Sequence, residues 1–241
     1  MDFTLWMLGY PEQARRHEQR LASLIDNPID PFAWATGIHG ILMLRCEFLR
    51  EFQGMKEQAE ELLRRSREGG TPYTVAFGLV WLGRLTVAEG EFAARMRMLE
   101  EGMNAFVARG DAGTNDLFRC TVAAAYLHAG LVEQGTAAVR EAIAKIGATG
   151  LFSAELYRLQ GEFLLLAQAP ADGAEKSFRQ AIAIARRQEA KSWELRATMS
   201  CAALLANQGR REEARATLAN IYNWFTEGFD TADLKEAKAL R

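Results

Sequence analysis

The chain has 241 residues, 49% of them apolar and 25% charged, enough to bury a sizeable core in one or two domains. A formal net charge of −2 and a pI near 6.0 give phosphate no global attraction, so the mean field favours neither nucleic acid nor an acidic membrane. Cys46, Cys120 and Cys201 lie far apart, form no C-x-x-C pair and each sit in an apolar stretch, which reads as buried free thiols in a reducing cytosol. The opening MDFTLWMLGYPEQ has no cationic region before its apolar residues, and the longest apolar run, 74–83, is half a membrane span; the expected location is cytoplasmic.

Long stretches of 3.6-residue periodicity, with few prolines and no strand-like alternation, predict helix nearly throughout. In chain order the pattern gives a short helix over 2–8 and one over 11–26, then 31–52 and 55–68, then 72–89 and 91–109. The pairs 115–129 and 132–147, 152–168 and 171–189, and 192–208 and 211–225 follow. A last helix, about 230–240, begins at Asp230-Thr231-Ala232-Asp233, an N-cap sequence with an acid at its third position.

Each first helix ends on a small residue: Gly9, Gly54, Gly90, Gly130, Ala169 and Gly209, at separations of 45, 36, 40, 39 and 40. Five residues after all but Gly90 stands another small residue, Ala14, Ala59, Gly135, Ala174 or Ala214. Glycine accepts the left-handed conformation that stops a helix, and a small residue one turn into the next helix lets two axes approach closely. Leu79-Val80-Trp81-Leu82-Gly83 matches the opening of the tetratricopeptide pattern, Val122-Ala123 with Tyr126 and Cys201-Ala202 with Leu205 its second half. In the second helices Val139 and Ala142, Phe178 and Ala181, and Leu218 and Ile221 supply the packing positions; the second repeat departs from the pattern, with Glu47 where a small residue is expected. The fold class is therefore all-α: a right-handed α–α superhelix of about six tetratricopeptide-like hairpins in one solenoid domain over 1–241. Its first repeat is truncated, and the helix at about 230–240 caps the open end.

The chemistry-bearing motifs are missing. GxxxxGK[ST] is absent, Gly173-Ala174-Glu175-Lys176-Ser177 lacking the first glycine, and neither E-x-x-H nor H-E-x-x-H includes His17, His39 or His128. Glu60-Glu61, Glu100-Glu101 and Glu212-Glu213, like Arg15-Arg16, Arg64-Arg65, Arg186-Arg187 and Arg210-Arg211, stand beside opposite charges on helix faces and read as a solvated, ion-paired surface. Trp81, Phe118, Phe152, Trp193 and Trp224 read as core or inter-repeat contacts. No catalytic, metal or cofactor-binding residue is assigned, and no cofactor. The first helices of such stacks line a concave face, and the register puts Phe48, Glu51, Phe77, Arg84, Cys120, His128, Phe163, Met199 and Asn207 near it. An apolar groove with a few polar points suits a peptide segment or a docked helix.

Residues 181–240, AIAIARRQEAKSWELRATMSCAALLANQGRREEARATLANIYNWFTEGFDTADLKEAKAL, resemble the C-terminal repeat region of bacterial multidomain signalling ATPases of adenylate/guanylate cyclase or transcriptional-activator type. WFTEGFDTADLKEAKAL at 224–240 is the most specific part, LYRLQGEFLLLAQ at 156–168 also fits, and the similarity extends more weakly back to Gly9. The resemblance implies a non-catalytic sensor or protein-interaction module that binds a peptide, protein or small effector in the groove, with its own upstream ATPase or effector domains among the partners. The cyclase and ATPase residues of that family belong to segments outside this sequence, so none is carried over. Direct nucleic-acid or membrane contact is not expected. The alternatives are a structural oligomerisation module and, less favoured, an α/α-fold enzyme, for which the register supplies only Glu51 as a groove acid. The short leading helix suggests a chain that begins inside a longer solenoid, leaving Phe3, Leu5, Trp6 and Leu8 as an exposed apolar patch through which a homodimer could form.

Overall fold

Glycine φ angles give the clearest view of how the repeats are built. In the computed structural model, which describes residues 2–25, 30–69, 71–86, 92–109 and 112–241, Gly9, Gly54, Gly130 and Gly209 stand at φ 95°, 74°, 68° and 83°. In the fifth hairpin the left-handed residue is Gln168, at φ 53°, one position before the expected Ala169. The stop recurs as a Schellman motif, in which an amide beyond the helix reaches back five residues: Tyr10 to Leu5, Leu131 to Tyr126, Ala169 to Leu164 and Arg210 to Leu205, at 2.8–3.0 Å. The Gly90 anchor, and the helix limits expected at 26, 89 and 91, lie outside the described residues.

The fold is all-α, a run of helices packed in consecutive pairs. Among the described residues they are α1 (Asp2–Met7), α2 (Pro11–Ile25), α3 (Pro31–Leu42), α4 (Met55–Gly69), α5 (Pro72–Thr86), α6 (Phe92–Arg109) and α7 (Ala112–His128). There follow α8 (Val132–Ile146), α9 (Ser153–Leu166), α10 (Ala171–Arg187), α11 (Lys191–Asn207), α12 (Arg211–Tyr222) and α13 (Ala232–Leu240). No helix among the described residues is long and apolar enough to cross a membrane. The chain divides into two compact units, one of Gln13–Ala125 with the residues up to Phe3, the other of Thr4–Glu12 and Tyr126–Arg241.

In the first unit α5 is packed between α4 and α6. Small residues set that spacing: a Cβ on Gly78 would come within 2.7 Å of the Leu63 Cα, and one on Gly102 within 2.9 Å of the Ala76 carbonyl. Helix α5 starts on reciprocal bonds, Thr71 N–H to Thr74 Oγ1 at 3.1 Å and Thr74 N–H to Thr71 Oγ1 at 3.4 Å, with Pro72 in the first turn. Helix α3 runs on into a seven-residue π-helix, Met43–Leu49, which ends at Arg50 with φ 59°. This is where Glu47 broke the repeat pattern. The wider turn buries Leu44, Cys46, Phe48 and Leu49 and leaves Glu47 to meet Arg84 of α5, Nε to Oε1 at 2.9 Å.

In the second unit Gly135 of α8 receives the Phe163 ring of α9, and Gly161 of α9 receives Phe178 of α10. An added Cβ would lie 2.0 Å from the Phe163 Cζ or 2.4 Å from the Phe178 Cε1, so neither site admits a side chain. Ala174, Phe178, Ala181, Leu205, Leu218 and Ile221 continue this core to α13, which adds Leu234 and Ala237. The start of α13 differs from expectation: Thr231 holds the N-cap position, but its hydroxyl donates to the Gly228 carbonyl, and Asp233 pairs with Arg196. The exposed patch expected at the N-terminus is also corrected. Trp6 is 2% exposed and packs into this second unit, with Phe3, Leu5 and Leu8 partly buried.

Candidate functional site

The groove residues expected in the first unit divide by burial. Phe48, Phe77 and Cys120 are enclosed, at 1%, 2% and 6% exposure. Phe48 lies 5.9 Å from the Phe3 ring. Phe77 lies flat on His39, centroids 3.9 Å apart and planes 6° apart. Glu51 and Arg84 keep polar roles: Glu51 accepts from Arg15 Nε at 3.0 Å, and Arg84, bonded to Glu47, places its guanidinium 5.7 Å from the Phe52 ring centre.

His39 was not among the expected residues, yet it is the hub of the unit's aromatic cluster. Trp81 Nε1 donates to its Nδ1 at 2.8 Å, and Phe118 lies 5.6 Å away. With Nδ1 accepting, the ring proton resides on Nε2. Burial holds the ring neutral and lowers its pKa to about 3. Burial, with Glu47 adding to it, pushes the Cys46 thiol up to about 12, which makes it inert as a nucleophile. A cavity of about 300 Å³ opens between Pro31, Trp34, Arg65, Ser66, Glu68 and Thr74, with the Arg65 guanidinium stacked 4.4 Å over the Trp34 ring.

In the second unit the two apolar residues expected in the groove are buried. Phe163, expected in the groove, is 1% exposed against Gly135, and Met199 is 8% exposed in the core. Glu162, just before Phe163, and Ser200, just after Met199, belong to a polar strip. Arg158 of α9 holds Glu155 through two bonds of 2.6 and 2.8 Å and reaches Glu162 at 3.2 Å. Ser200 of α11 donates to Glu162 at 2.6 Å, so the strip bridges two first helices. Beside it Arg196 bonds Asp233 of α13 at 2.7 Å. Burial alone would lower the Arg158 pKa, but Glu155 and Glu162 outweigh it and hold the guanidinium firmly charged. His128 and Asn207, the other residues expected here, are exposed at the C-terminal ends of α7 and α11. Trp224, read from sequence as a packing residue, is 39% exposed. Among the described residues no three His, Cys, Asp or Glu side chains converge as metal ligands.

No family model matches the chain, and no curated protein matches it significantly. Among solved structures it is similar to BtubC (BKLC) from P. vanneervenii, with 16% identity and a TM-score of 0.59 over 90% of this chain and 89% of that one. It is also similar to a Signal Transduction ATPase with Numerous Domains (STAND) protein with a tetratricopeptide repeat sensor, from Pyrococcus horikoshii. That match has 16% identity and a TM-score of 0.55, and it covers 100% of this chain but 37% of the other. What these likenesses show is a shared helical-repeat fold.

Proposed function

We propose that the chain is a non-catalytic sensor or interaction module of a bacterial signalling or transcription-regulating ATPase, binding a peptide, a protein segment or a small effector along its first helices. The observation that carries this reading is the strip Arg158–Glu162–Ser200, in which a charged pair on one first helix is fixed in place and tied to a hydroxyl on the next before any ligand arrives. A ligand carboxylate or amide that exchanges into the strip changes what joins α9 to α11. It therefore biases the packing of the two hairpins, which is how binding energy becomes a signal. The likeness to a STAND protein with a tetratricopeptide repeat sensor supports the context.

A selection of random peptides against the full chain, followed by affinities for Arg158→Ala and Arg84→Ala, tests the reading. At least one selected peptide should lose about tenfold or more in affinity, roughly 1.4 kcal/mol, on one of the two changes. The reading fails if no peptide binds below about 1 mM, or if every selected peptide ignores both substitutions.

A further inference from the structure

Residues 4–12 are held in the second unit as a bound peptide would be. Helix α1 places Trp6 edge-on against Trp193, centroids 4.8 Å apart and planes at 78°. The Arg196 guanidinium lies 4.7 Å over Trp6 and 5.3 Å over Trp193, itself anchored by Asp233. Ser192 Oγ donates to the Trp6 carbonyl at 2.5 Å. Past the left-handed Gly9, Tyr10 meets Trp224 at 5.9 Å and Pro11 sits against Gly228. Glu12 closes the segment at both its groups: its N–H donates to Glu227 Oε1 at 3.0 Å, and its carboxylate accepts from the Gly228 N–H at 2.8 Å.

Three features distinguish this seat from ordinary core. One aromatic anchor enters a place rimmed by charged groups, the anatomy of an interaction hot spot. Two of the bonds take hold of segment backbone, at Trp6 and Glu12, as peptide-binding sites do. Helix α1 has six residues, well short of the about 12–15 that an isolated helix needs in water, so the seat supplies its order.

We infer that Ser192, Trp193, Arg196, Trp224 and Glu227 form a recognition site for a short helix that carries a tryptophan and ends in a Gly-aromatic-Pro turn. Residues 4–12 fill it in cis, and an external segment of the same chemistry enters by displacing them. The inference rests on the reading of the chain as a segment-binding module and names the class of segment. Tethering gives the internal segment an effective concentration on the order of millimolar, so the site is closed to weak competitors.

The test uses the full chain and a fluorescently labelled peptide, DFTLWMLGYPEQ. The Trp6→Ala chain, whose own segment has lost its anchor, should bind the peptide at least about tenfold more tightly than the unaltered chain. A peptide with alanine in place of its tryptophan should not bind. A folded Trp6→Ala chain that ignores the peptide, or binding that survives loss of the peptide's tryptophan, overturns the inference. Amide hydrogen exchange on the unaltered chain decides the matter without a variant. Excess peptide should speed exchange at residues 5–10 and leave α11 unchanged, whereas residues 5–10 that open only together with α11 sink the proposal. Binding that depends on Arg158, with no effect of this peptide, would remove the seat and leave the module reading standing.

Discussion

His39 turns an aromatic cluster into a pH-dependent element of stability. The free side chain titrates near pH 6.5, but in the folded chain its pKa is lowered to about 3 by burial. Between those values the unfolded chain binds a proton that the folded chain refuses. Its contribution is therefore fully present above about pH 6.5 and is lost as the pH falls, by up to about 1.4 kcal/mol per unit. Urea unfolding at pH 7 and pH 5 should show the loss. In His39→Gln, which keeps an acceptor for Trp81 but does not titrate, the difference between the two pH values should shrink. An unchanged difference would show that the ring titrates freely in the native state.

At the scale of the element, the π-helix shows what a broken repeat position can become. Within it Glu47 meets Arg84 on α5, with side chains 14% and 10% exposed. Removing either partner takes a charge-assisted bond from the other in a largely buried place, so Glu47→Ala and Arg84→Met should each cost roughly 1.5–3 kcal/mol. The double variant should cost clearly less than the two together, and simple additivity in a double-mutant cycle would count against the pairing. The anomaly at Glu47 was visible in the sequence, while the π-turn was not, because an i→i+5 ladder leaves no apolar period to read. The polar strip is hidden for a related reason. One residue along a helix turns the face by about 100°, so Phe163 is buried against Gly135 of α8 while its neighbour Glu162 reaches Ser200 of α11, and apolar spacing records only the first.

Across the whole chain, the repeat was legible because its signals are local. A left-handed stop and a small residue five positions later need no knowledge of distant partners, and Ala14, Ala59, Ala174 and Ala214 are all buried as that spacing requires. Not every stop is equally strict. Alanine at Gly54, Gly130 or Gly209 meets no atom within 4 Å and should cost only the strained backbone, about 1 kcal/mol. Alanine at Gly9 would set its Cβ 2.4 Å from the Trp224 ring and should cost roughly 2–3 kcal/mol. Denaturation midpoints of the four variants would check the order, and equal losses at all four would mean that Gly9 serves only as a turn. The docking of residues 4–12 was invisible for the opposite reason, since neither periodicity nor spacing records a contact between Trp6 and Ser192, 186 positions apart.

That separation carries a consequence for how the protein is made. The hairpins need only neighbours a few tens of residues away and can form as the chain leaves the ribosome. The seat for Trp6 does not exist until α11 has emerged, so until then the tryptophan travels bare. Closure across so long a loop is the slowest contact to find, and in cells it follows synthesis of the intervening hairpins. A bulky group fused near Thr4 would therefore be felt first at Ser192 and Trp224, at the far end of the sequence.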